Sequence, residues 1–227
     1  MKKFILSIAI FFLFFVQSFS HVKHYKDYNY LEYELFRNNK PIGYHKYEFN
    51  RDGDNLSINS EVSFKIIKLG VELYKYFAKS EENYVNGTFK SYSSKTKQNK
   101  KNRYVNIKAS PRNEYLIIDG SSYKGKANKE FIVGTWWNHE IIKAKSQISG
   151  ISGRIIEQTV TFIGKEEIKI GNKVYKTLHF NFKSSDEALP ESKKLNTDIW
   201  YEENTYLWVK AAFDKTGYWE YRIKKVN

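Results

Sequence analysis

The chain of 227 residues has no cysteine, only three prolines and one methionine. Without cysteine there is no disulfide, no thiolate zinc site, no cysteine nucleophile and no lipid-modified cysteine for a lipoprotein anchor. An exported protein of this composition must be held together by its core alone. The sequence also lacks a Gly-x-Ser-x-Gly nucleophile elbow and a glycine-rich phosphate loop. Its paired carboxylates, Glu81-Glu82, Glu166-Glu167 and Glu202-Glu203, are immediate neighbours. Neighbours on a strand face opposite ways, which is the wrong geometry for a general acid/base pair. No catalytic residue and no cofactor can be assigned on these grounds, and enzyme activity is left undecided with a binding role preferred.

Aromatic residues are plentiful, at 17% of the chain, and supply ample apolar area for a core. The formal net charge is +13, and it falls to +11 when Lys2 and Lys3 are set aside. A basic balance points toward anionic partners. The charges are scattered, however, apart from Lys97 to Arg103, which sits between two predicted strands. That run reads as a solvated hairpin tip, and no nucleic-acid partner is expected.

Residues 1–20 read as a cleaved secretory signal peptide. Lys2-Lys3 give the positive start, Phe4 to Val16 is an apolar run broken only by Ser7, and Ser18-Phe19-Ser20 puts small residues where a signal peptidase reads them. The run is shorter than the roughly 20 residues a spanning helix needs. The expectation is a periplasmic protein with no transmembrane span after cleavage. Residues 21–227 then form a single domain, because no shift in composition divides them.

Leu56, Ile58, Ser60, Val62, Phe64 and Ile66 alternate with polar partners, and Val71, Leu73 and Phe77 resume the pattern after Leu69-Gly70. Only a strand puts every second side chain on one face. The stretch predicts two long antiparallel strands in the middle of a large sheet. Turn signals recur on both sides of it, at Asn38-Asn39-Lys40-Pro41, Asp52-Gly53, Asn86-Gly87, Gly171-Asn172 and Lys215-Thr216-Gly217. The fold class is mainly β: a large curled antiparallel meander, half-barrel or barrel-like, of about eleven or twelve strands. The segments 89–95 and 104–109 read as polar outer strands, and 164–172 as a charged turn. Phe131 to Ser152 breaks the alternation, and His139 to Ile148 predicts a short helix, so this region reads as one loop-helix insertion.

The order Asn39-x-x-Ile42-Gly43, Asn86-Gly87, Trp136-Trp137-Asn138, Ile199-Trp200-Tyr201 and Asp214-x-x-Gly217 resembles a family of exported bacterial proteins whose domain is of unknown function. The likeness covers almost all of the chain after residue 20. The family usually has Gly where Asn39 stands, and Asn tolerates the same positive φ. The resemblance implies an all-β exported domain and supplies no activity. In architecture alone, a curled sheet with a plug is similar to the half-barrel carriers of lipids and lipoproteins.

Aromatics on both faces of several strands suggest a ligand surface made of Trp136, Trp137, His45, Tyr47, Trp200 and Trp208, taking an apolar or lipid-like ligand. Trp136 and Trp137 serve equally well as stacking groups or as core. His45 and His179 read as satisfied, half-buried histidines more readily than as ligands or bases. If cleavage falls after Ser20, His21 becomes an N-terminal residue whose amine and imidazole, with His24, suit Cu(II); the blander reading is a frayed, solvated terminus. Two other functions stay open: a structural or interaction protein of the cell envelope, and a copper-dependent or hydrolytic enzyme.

Overall fold

The alternation from Leu56 to Ile66 folds as a long hairpin. In the computed structural model, which describes residues 25–227, Asn55–Lys68 and Val71–Val85 pair antiparallel around Leu69-Gly70. In chain order the strands are β1 (Tyr30–Arg37), β2 (Lys40–Asp52), β3 (Asn55–Lys68), β4 (Val71–Val85), β5 (Thr88–Gln98), β6 (Lys101–Ala109), β7 (Tyr115–Gly120) and β8 (Lys124–Asn128). They continue as β9 (Ile132–Val133), β10 (Ser146–Ile148), β11 (Ile155–Ile170), β12 (Lys173–Ser184), β13 (Asn196–Glu202), β14 (Trp208–Asp214) and β15 (Tyr218–Val226).

All fifteen lie in one sheet, in the order β8-β7-β6-β5-β4-β3-β2-β1-β15-β14-β13-β12-β11-β10-β9. The chain starts at the middle, meanders out to one edge, passes to the other edge through residues 129–131, and meanders back in. The sheet curls without closing its ladder. Every neighbouring pair is antiparallel except β9 with β10, as short hairpin turns require.

The strand count exceeds the eleven or twelve expected. Two of the extra strands, β9 and β10, come from the region read as a loop-helix insertion. That region holds only a five-residue 3-10 helix at His139–Lys143, capped by Asn138. Gln147 and Ile148 pair with β9 and with β11 instead of extending the helix. The residues read as a charged turn, 164–170, are strand. β11 slips register between Phe162 and Gly164 and then continues to Ile170 against β12. The bulge shifts the side-chain alternation, which hid the strand from a period-two reading.

The centre of the sheet is β1, not the β3–β4 hairpin. Leu31, Tyr33 and Leu35 of β1 are wholly buried against Tyr47, Phe49, Ile199, Tyr201, Trp208 and Val209 in the main core. A second cluster joins Tyr92, Val105, Ile107, Leu116 and Ile118 of β5 to β7 with Val133 of β9 and Ile148 of β10. The strands taken as polar outer ones therefore carry a core of their own, covered by the folded-back edge. Gly43, in the Ile42-Gly43 motif, lies where β2 crowds β3. A Cβ there would sit 2.0 Å from the Ser63 carbonyl oxygen, so only glycine lets the strands approach.

Candidate functional site

Residues 134–151 form a strap across the concave face of β2 to β5. Four side chains of the sheet hold its backbone. Tyr47 donates to the Thr135 carbonyl at 2.6 Å, and Tyr201 donates to the Trp136 carbonyl at 2.9 Å. Tyr92 and Ser94 donate to the Gly150 carbonyl at 3.0 and 2.5 Å. A Cβ on Gly150 would fall 2.5 Å from the Tyr92 hydroxyl, so glycine is what lets the strap lie this close.

The strap is anchored from below by Glu82. This carboxylate points into the core from β4 and is 3% exposed. It accepts from Tyr84 at 2.5 Å, from Trp137 Nε1 at 3.0 Å and from Thr135 Oγ1 at 3.4 Å. Burial disfavours its charge and pushes its pKa up to about 7, against the three donors, which pull it down. A carboxyl group poised near neutrality is a fair candidate for a base. Here three donors enclose it, so its role is to hold the strap. The sequence reading set Glu81-Glu82 aside as an adjacent pair. The alternation that aims Glu81 outward also aims Glu82 inward, and a carboxylate in phase with Tyr76, Ala78, Ser80 and Tyr84 was the available signal.

Between strap and sheet lies a cavity of about 210 Å³. Its wall mixes hydroxyl and amide groups (Ser60, Ser80, Ser94, Thr96, Gln147, Ser149) and Lys79 with the rings of His45, Tyr47, Tyr76, Trp136 and Tyr221 and the aliphatic side chains of Val62, Ala78, Ile151 and Ile156, and more of it is apolar than polar. His45 bonds Ser60 Oγ through Nε2 at 2.8 Å, while its Nδ1 is buried without a partner. The ring packs 4.3 Å from Tyr47 and edge-on to Trp208 and Tyr221 at 6.0 Å each. Burial pulls its pKa down to about 3, so the imidazole is neutral near pH 7 and a poor general base there. A neutral imidazole bonded through one nitrogen can still donate or accept through the other. Trp136 adds a second irregularity: it holds φ +60, a conformation that a bulky residue keeps only under surrounding constraint.

The structure brings His45, Tyr47 and Trp136 together around the cavity. Trp137 is wholly buried against Tyr25, Phe49 and Tyr84. Trp208 is buried too, stacked on Tyr33 at 4.0 Å behind His45. Trp200 lies elsewhere. It stacks on His179 at 4.2 Å, donates to Glu166 at 2.9 Å, and carries Lys210 over its ring. His179 is itself held between Glu166 at 2.7 Å and Asp198 at 3.0 Å. His21 and His24 lie outside the described residues, as does the segment read as a signal peptide. Among the described residues no three His, Asp or Glu side chains converge to hold a metal ion, and no helix is long and apolar enough to cross a membrane.

No curated protein matches the chain. Among solved structures it is similar to the crystal structure of a beta-barrel-like protein of the domain of unknown function DUF1849 from Brucella abortus. The two share 12% identity, and the match covers 87% of this chain and 96% of that one with a TM-score of 0.62. At that identity the likeness speaks for the fold alone. The model of the domain of unknown function DUF6134 matches residues 33–224. That span runs from the middle of β1 to near the end of β15 and takes in the whole strap, so the chain belongs to the DUF6134 family.

Proposed function

We propose that the domain is a binding module that holds a small molecule, largely apolar with one polar group, between the strap and the concave face of the sheet. The observation that carries this reading is the buried, unpartnered Nδ1 of His45, whose ring lines a cavity more apolar than polar. Buried polar groups are almost always satisfied, because leaving one unpaired costs free energy. The mixed wall of rings, aliphatic side chains and hydroxyl groups and the strained Trp136 support the same reading. The volume limits what fits. At about 210 Å³ the cavity is smaller than the roughly 300–1,000 Å³ of sites for drug-sized ligands. The apolar or lipid-like ligand that the sequence suggested is thereby narrowed to a compact one with a polar group at this site.

Mass spectrometry of the natively purified protein, with extraction of bound compounds, is the test. The expected result is a stoichiometric small compound that carries a polar group and is lost in His45→Phe while the fold persists. An extracted acyl lipid would restore the carrier reading. Recovery of the bare chain, together with no compound that raises Tm in wild type but not in His45→Phe, would refute both. The module is proposed to act in the periplasm after removal of residues 1–20. Recovery of the intact chain from the cytoplasm, with residues 1–20 still attached, would count against that.

A further inference from the structure

We propose that the β3–β4 arm, residues 65–75, is a docking element that seats Leu69 in an anionic phospholipid surface. The β2–β3 ladder ends at the pair Gly43 with Phe64, and the β4–β5 ladder begins at Tyr76 with Gln98. Beyond those pairs, Lys65 to Lys68 and Val71 to Tyr74 are bonded only to each other in the sheet, and the arm projects as a two-stranded ribbon. Four residues at about 3.3 Å each give it a reach of roughly 13 Å, against the 5–10 Å to which interfacial apolar faces are buried.

The tip of the arm is apolar where a turn is usually polar. Leu69 is 95% exposed, and Ile67, Val71 and Leu73 are each more than half exposed. Scattered exposed apolar residues are ordinary, but four within seven residues at the tip of a free ribbon form a patch. Leu69 also holds φ +51. At five of the eight other non-glycine positive-φ positions among the described residues (Asn38, Asn39, Asn86, Asn99 and Asn113) the chain uses asparagine, which tolerates the left-handed conformation, and the rest are Trp136, Tyr206 and Thr216. At the arm it keeps a leucine that is strained and makes no use of burial within the fold. A strained residue with no folded-state return points to a contact made elsewhere.

Charge identifies that contact. The neighbouring β5–β6 turn is tied to the base of the arm, since Asn99 bonds Lys75 through both its backbone N–H and its side-chain oxygen. Residues 65–75 and 97–103 together carry Lys65, Lys68, Lys75, Lys97, Lys100, Lys101 and Arg103 against the single acid Glu72. Glu72 is engaged by Lys65 at 2.9 Å. An apolar tip ringed by cations matches a bilayer interface bearing anionic head groups, where each cation near the surface adds attraction. At the root of the arm, Trp219 stands edge-on to Phe64 and Tyr74 stacks on Phe64. Aromatic residues of this kind favour the head-group level.

The test exploits the absence of native cysteine. Val71→Cys, carrying an environment-sensitive nitrobenzoxadiazole dye, is titrated with phosphatidylglycerol/phosphatidylethanolamine vesicles, with the dye on Val174→Cys at the β11–β12 turn as control. A blue-shifted rise at position 71 and none at 174 is expected, at least tenfold weaker on phosphatidylcholine vesicles. Adding Leu69→Asn should weaken vesicle binding by roughly 10- to 100-fold, as expected for losing one buried leucine, while Tm stays level or rises. The proposal is overturned if the dye at 71 ignores the vesicles, or if Leu69→Asn binds as well as its parent. It is also overturned if Leu69→Asn instead abolishes a dimer in solution, which would place a second copy of the chain on the arm.

Discussion

Glu82 makes the stability of this fold depend on pH in a direction opposite to that of most carboxylates. Its pKa is about 7 in the folded chain, against 4.5 for an ordinary glutamate. Between those values the folded chain holds a proton that the unfolded chain has released. The resulting stability is present in full below about pH 4.5 and is lost as pH rises through about 7. At 1.36 kcal/mol per pH unit the gap is worth about 3 kcal/mol, or roughly 6–12 °C in Tm for a chain of this length. The protonated acid has an acceptor at hand, because Thr135 Oγ1 also reaches the Val133 carbonyl at 3.4 Å and can turn its own proton there. Glu82→Gln removes the ionisation and keeps the shape. Urea denaturation followed by tryptophan fluorescence, run on both proteins at several pH values, should show the variant gaining about 3 kcal/mol on wild type between about pH 4.5 and pH 8. His45 opposes the trend. With its pKa lowered to about 3, its contribution is lost as pH falls below the ordinary 6.5. Both proteins carry His45, so it cancels in the difference. Identical pH dependence in the two proteins would refute the argument for Glu82.

Other substitutions test the backbone. Gly43→Ala forces a Cβ to within 2.0 Å of the Ser63 oxygen and should cost at least about 1–3 kcal/mol as an overpacked site; a neutral result by urea denaturation would mean β2 and β3 separate easily. Asn39→Gly, at φ +61, should raise stability by a few tenths to about 1 kcal/mol, since glycine holds that conformation without strain; a lower Tm would show that the Asn39 side chain matters to the turn. Trp137→Ala should cost about 3–5 kcal/mol as a buried large-to-small change and should expose the strap to limited proteolysis. A strap equally protected in Trp137→Ala would show that Glu82 and Trp137 do not anchor it.

Much of the architecture was written in local patterns. The alternation of Leu56 to Ile66 and the Asn-Gly and Gly-containing turns placed the hairpins, because period and turn chemistry act within a few residues. The misread parts depend on distant ones. Lys165 to Ile170 is strand only because β12 runs beside it and the bulge at Phe162 to Gly164 shifts its phase. Gln147 and Ile148 are strand because β9 and β11 flank them. His139 to Lys143 does form a helical turn, but a pairing partner captured the residues that would have extended it. At the site, His45, Tyr47 and Trp136 were legible as aromatic or titratable groups on inward positions. Their convergence was not, since β2 and the strap lie about ninety residues apart in the chain. Glu82 was legible only as half of an adjacent pair, because a buried carboxylate is recognised by the donors that reach it, and those come from Tyr84 and from the strap.

The pairing of β1 with β15 bears on how the protein comes to be folded at all. Leu31 pairs with Val226 and Arg37 with Trp219, so the central ladder joins residues nearly two hundred positions apart. Contacts of such high sequence separation are formed late and slowly, because the intervening chain must be ordered before they bring any return. Until the final nine-residue strand is available, β1 and β14 each present an open edge, and open edges invite pairing with other chains. The ladder at the middle of this sheet cannot form until β15 is made, and a chain lacking that one strand would leave β1 and β14 unpaired at its centre.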